Sequence, residues 1–83
     1  MFYFYILKST KTGKYYMGST ENFKSRLALH NTGQVKSTRL EKPWKRVFIQ
    51  NFSTLTATRK RELQVKHWKS RKAIERLVKT SHF

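Results

Sequence analysis

Near the start of the chain the apolar residues fall in two short runs, FYFYIL over 2–7 and KYYMG over 14–18, with the polar segment STKTG between them. Each run alternates its side chains between two faces, as a half-buried strand does, and Ser9, Thr10 and Gly13 supply turn chemistry, so the pattern predicts a hairpin. On that hairpin Tyr3 and Tyr5 share a face, and Tyr16 stands on the neighbouring strand within reach of them. After Gly18, the segment STENFKSRLALHNTG reads as a helix with Ser19, Thr20 and Asn22 as candidate caps and Asn31 and Gly33 as candidate stops. Arg26 and His30 are four residues apart and so lie on one face of it.

The pattern changes at Gly33. Residues 33–42 are polar and basic, which predicts a surface loop or short helical turn ending at Pro43, with Lys42 biased towards extended backbone. Trp44 to Phe52 is the third strand: Trp44, Phe48 and Phe52 share one parity and Val47 and Ile49 the other, an arrangement suited to a central strand. Ser53 to Thr58 offers caps for a mostly cationic helix over 56–69, in which Ala57, Leu63 and Trp68 are too few for a clean apolar stripe. Ser70 caps a last helix whose Ala73, Ile74, Leu77 and Val78 form a core-facing stripe, and Thr80 to Phe83 is expected to be a frayed tail. The expected architecture is α/β (α+β): a small three-stranded antiparallel sheet flanked by helices, with 1–83 as a single domain.

Length and composition narrow the function. A chain of 83 residues hides only about 60% of its unfolded surface, so the core is small, although two Trp, four Tyr and six Phe give it volume. Without cysteine there is no disulfide framework and no thiolate metal site, which accords with a reducing, cytoplasmic setting. No apolar run approaches membrane-spanning length, and no leader precedes the first strand, so the reading is a soluble, unprocessed protein. Nineteen Lys and Arg face only Glu21, Glu41, Glu62 and Glu75, giving a net charge of +15. Such a field draws polyanions, and the cations are spread along the whole chain instead of lining one amphipathic helix, which favours nucleic acid over a membrane surface.

The hairpin and the helix after it carry a resemblance. Tyr3-Phe4-Tyr5, then ten residues, then Tyr16-Met17-Gly18, then Arg26 and His30, resembles the GIY-YIG nuclease domain. HNTG, the run Lys36-Ser37-Thr38-Arg39 and Pro43-Trp44 are similar to the small stand-alone members, the UPF0213 branch. The last asparagine is Asn51, before Glu62, whereas many family members carry one near the end of the domain.

The resemblance implies a metal-dependent endonuclease acting on DNA. Glu62 would hold one divalent cation, Mg²⁺ or Mn²⁺, since a hard cation that keeps its water often needs only one or two carboxylates. Tyr5 would activate water, with Tyr16 and His30 positioning water or passing on a proton, and Arg26 would hold the scissile phosphate. A free phenol has a pKa of about 10, so this scheme expects positive charge in the site to favour the phenolate. Lys36, Ser37, Thr38 and Arg39 are donors suited to phosphate oxygens, and from the residues alone they are equally a solvated loop. The residues alone also read Glu62, set among Arg59, Lys60, Arg61 and Lys66, as an ion-pair partner, and the tyrosines as ordinary strand residues. The alternatives are therefore a non-cutting DNA- or RNA-binding module on the same fold and a ribosomal-type RNA binder. Selectivity would come from this domain, from a dimer, or from a partner protein.

Overall fold

The computed structural model describes residues 1–80; the last three positions of the expected frayed tail lie outside the described residues. Strands β1 (Phe2–Ser9), β2 (Tyr15–Thr20) and β3 (Trp44–Phe52) are followed or separated by helices α1 (Phe23–Asn31), α2 (Leu55–His67) and α3 (Arg71–Lys79), with one 3-10 turn at Arg39–Glu41. All strand pairs are antiparallel and the spatial order is β2-β1-β3.

β1 is therefore the central strand, and the expectation of a central β3 is corrected: β3 is an edge. Phe4, Tyr5, Ile6 and Leu7 are all buried in sequence, which is what a strand covered on both faces shows. Phe4 and Ile6 pack with Phe48, Val65 and Ile74 on the side of α2 and α3, while Tyr5 and Leu7 pack with Trp44, Phe23 and Leu27 on the side of α1. The shared parity expected for Trp44 and Phe48 also fails. The pairing runs Ile6 with Phe48 and then Leu7 with Arg46, so Val47 is the extra residue of a bulge. A bulge shifts the alternation by one position, and Trp44 is thereby turned onto the α1 side.

Local chemistry fixes the connections. Ser9 Oγ accepts from the N–H groups of Lys11 and Thr12 at 3.1 and 3.0 Å, and Gly13 takes φ +77°, so the hairpin turn forms as its residues predict. The side chain of Asn22 accepts from Ser25 N and caps α1, Thr54 caps α2 through Ala57 N, and Ser70 caps α3 through Ala73 N. Ser19 and Thr20, the other candidate caps of α1, belong to β2. Asn31 at the end of α1 makes two bonds to the backbone of Trp44, accepting from its N–H at 2.6 Å and donating to its carbonyl at 3.0 Å. The segment between them is folded back as a closed loop, and Trp44 Nε1 donates to the Thr38 carbonyl at 2.9 Å within it.

Candidate active site

Direct pairing of Tyr5 with Gly18 across β1 and β2 builds the site. Directly paired residues share a face, so the Tyr5 ring lies over Gly18. A Cβ on Gly18 would stand 2.5 Å from the Tyr5 hydroxyl oxygen and 2.7 Å from Cζ, so the phenol occupies space that only glycine leaves open. Ser19 follows on the opposite face, towards α2, and its hydroxyl donates to Glu62 Oε1 at 2.5 Å. The edge strand β2 thus brings tyrosines from one face of the sheet and a carboxylate from the other to one cleft. That cavity of about 360 Å³ is lined by Tyr5, Tyr16, Arg26, Arg59, Glu62 and Leu63, with Gly18 and Ser19 between them.

His30 lies one layer back from the cleft. It is fully buried and does not line the cleft; it lies behind Tyr5 and Tyr16, its Nε2 3.1 Å from the Tyr5 hydroxyl and its ring 4.9 Å, centroid to centroid, from that of Tyr16. Its Nδ1 is 2.8 Å from Thr38 Oγ1, and that hydroxyl is also 3.4 Å from the Val35 carbonyl, which only accepts. Both ring nitrogens thus have a hydroxyl partner; in the tautomer with Nδ1–H donating to Thr38, Nε2 is the acceptor for the Tyr5 proton. Burial, with the Arg26 charge adding to it, lowers the His30 pKa below the ordinary 6.5 and holds the ring neutral, as this pattern requires.

Thr38 is a correction to the loop reading. It is 1% exposed and points at His30, so it supports the histidine and offers nothing to a phosphate in solvent. Lys36, Ser37 and Arg39 are exposed, outside the lining of the cleft. The expected drift of Tyr5 towards phenolate is reversed for the protein's own groups. Burial first, then Tyr16 and Glu62, raise its pKa well above 10, and the nearby Arg26 guanidinium opposes them without prevailing.

Glu62 is an ion-pair partner that also faces the cleft. Its Oε2 pairs with Lys66 Nζ at 2.6 Å one helical turn away, as a balancing charge does, and the same carboxylate faces the cleft with Tyr5 and Arg26. Among the described residues there is no group of three or more His, Cys, Asp or Glu that could hold a metal, so a caged site of several protein ligands is not built here. One cleft carboxylate beside a hydroxyl still fits a Mg²⁺-type cation, which takes most of its ligands from water and phosphate; Glu62 is the residue that would hold it. Sequence reasoning missed Gly18 as a spacer, Ser19 as the hydroxyl on Glu62, and Arg59 as a second cleft cation. The signal for Gly18 was present in its pairing with Tyr5, while Ser19 read as a cap and Arg59 as background charge.

The family model described as the GIY-YIG catalytic domain matches residues 1–75. A UPF0213 protein of Staphylococcus saprophyticus is 32% identical over 74 residues, covering 88% of this chain and 89% of the relative. A UPF0213 protein of Streptococcus pneumoniae is 40% identical over 53 residues, where the match covers 63% of this chain and about half, 52%, of that relative. The solution NMR structure of the UPF0213 protein BH0048 from Bacillus halodurans has a TM-score of 0.59 and 34% identity, covering 95% of this chain and 84% of that one. A match over residues 1–75 embraces every element that builds the cleft, and the chain belongs to the GIY-YIG family, whose domains are endonucleases acting on nucleic acid.

Proposed function

We propose that this chain is a divalent-metal-dependent endonuclease that hydrolyses phosphodiester bonds in DNA. The observation that carries the reading is one cleft holding a phenol, a guanidinium and a carboxylate, with a neutral histidine placed to take the phenol's proton. A divalent cation, Mg²⁺ or Mn²⁺, held by Glu62 would supply charge stabilisation at the phosphoryl oxygens and acidify bound water.

The remaining work falls to the protein's own groups. The Arg26 guanidinium holds a non-bridging phosphate oxygen and counters the charge that develops on it. Because Tyr5 is held as a phenol, it acts as a base only if it loses its proton as it gains one. The bond to His30 Nε2 provides that exit: a water proton passes to the Tyr5 oxygen while the Tyr5 proton passes to the imidazole, and no free phenolate forms. In this reading Nδ1–H donates to Thr38, the tautomer that leaves Nε2 open to receive the proton. Tyr16 packs edge-on against His30 and lines the cleft beside Tyr5, where it orients the water.

A second reading, a DNA-binding module that does not cut, is favoured by the Lys66 ion pair on Glu62, which competes with a cation for the carboxylate. A cleavage assay on duplex, single-stranded and branched DNA, with and without Mg²⁺, separates the two. Strand scission that requires Mg²⁺ supports the nuclease, and metal-independent binding with no scission on any substrate supports the module.

A further inference from the structure

Beside the cleft lies a second cavity of about 410 Å³ that shares Ser19, Arg26 and Arg59 with it and continues between α1 and α2. Its apolar surface comes from Phe2, from Leu29 of α1 and from Leu55 of α2, and both leucines are 37% exposed. A groove that only tracked phosphates would need no such surface, least of all in a chain with a mean hydropathy of −0.74. Arg59 stands where the two cavities join. Among the described residues Arg61 is held by Gln50 and Gln64, Lys66 by Glu62 and Arg71 by Glu75, whereas no acceptor holds Arg59. Glu21 lines the second cavity and not the cleft, so the charge along the groove runs from two arginines at the junction to an acid further out.

We propose that this groove is a subsite for an unpaired nucleobase, with the phosphate next to that base held between Arg26 and Arg59. The anionic part of a nucleotide is drawn to the arginine end and repelled from Glu21, while a flat neutral base gains by covering Phe2, Leu29 and Leu55. A base in an intact duplex is stacked on both sides and would have to leave the helix to enter; one that is already unpaired pays little. The substrate class is therefore DNA with an unpaired nucleotide beside the phosphate at the cleft. The inference rests on the nuclease reading only for that phosphate being the one cut.

The test uses two DNA hairpins of equal length and charge, each closed by a non-nucleotide tether so that no loop base is free, one fully paired and one with a single unpaired 2-aminopurine facing an abasic site, bound without divalent metal. The expected result is about tenfold tighter binding of the unpaired hairpin, the scale of one stacked base, with a change in 2-aminopurine fluorescence on binding. In Leu29→Ser and in Leu55→Ser the ratio of the two affinities falls to about one, and in Arg59→Gln both affinities fall. Equal affinities in the wild type, or a ratio that survives in whichever leucine variants remain folded by circular dichroism, overturns the subsite. The same hairpins in Mg²⁺ keep the two readings separate. Preference without scission leaves the subsite and removes the nuclease; scission of both hairpins at one rate with no preference does the reverse.

Discussion

At the residue scale the site depends on what is absent at Gly18 as much as on what is present at Tyr5. Gly18→Ala puts a methyl group against the Tyr5 ring at a distance no packed pair tolerates, so the ring or the strand must shift. The expected cost is about 1–3 kcal/mol of stability in urea unfolding, with cleavage lost because the hydroxyl leaves its place over the cleft. Tyr5→Phe removes the hydroxyl and leaves His30 Nε2 without its buried partner, at a cost of about 1–3 kcal/mol. DNA affinity is retained in Tyr5→Phe, and cleavage falls by about 10² to 10⁴-fold if Tyr5 is the base. His30 also gives a pH signature. Its folded pKa lies below the unfolded 6.5, so under acid conditions the unfolded chain binds the proton more readily, and stability is lost as pH falls from 6.5 towards the folded value. The urea midpoint should drop between pH 7 and pH 5, and drop less in His30→Gln; an equal drop in both would place the titration elsewhere.

At the element scale, the hairpin, the capped helices and the strand at Trp44 were legible because each carries its own local signal. Turn residues sit at Ser9 and Gly13, cap side chains at Asn22, Thr54 and Ser70, and a dense apolar run at Trp44 to Phe52. Strand order was not legible, because parity says which residues share a face and nothing about which strand lies in the middle. The bulge at Val47 then broke parity itself, and no residue type announces a bulge at that position. Tyr5, Tyr16, Arg26 and Glu62 were singled out through the family resemblance, and all four line one cleft. Thr38 was misplaced because a polar residue in a polar segment reads as exposed, whereas the Asn31 clamp on Trp44 and the Trp44 Nε1 bond to the Thr38 carbonyl fold that loop over His30. Asn31→Ala should therefore loosen the loop, with faster amide exchange over residues 33–42 and weaker cleavage, although Asn31 touches no part of the cleft.

At the scale of the whole molecule the +15 charge governs encounter and the cleft governs chemistry. Binding to DNA should tolerate sequence and weaken steeply with salt; neutralising about six phosphates gives a slope of log K against log salt near −5, and a nearly flat response would contradict the electrostatic reading. No helix among the described residues is long and apolar enough to cross a membrane; the family acts on nucleic acid, which is the polyanion expected to meet this field. Charge would bring DNA to the surface, but among the described residues Glu62 is the one carboxylate lining the cleft and the residue that would hold the proposed cation, and the account turns on it. The direct measurement is the cleavage rate of Glu62→Gln against wild type in Mg²⁺, with DNA affinity measured in parallel without metal. The amide keeps the size and helix compatibility of glutamate and removes the charge that holds a hard cation. Cleavage should collapse while affinity holds or rises slightly, since an anion facing phosphate is gone; if wild type cuts and Glu62→Gln cuts equally fast, Glu62 is an ion-pair residue and the metal assignment is wrong.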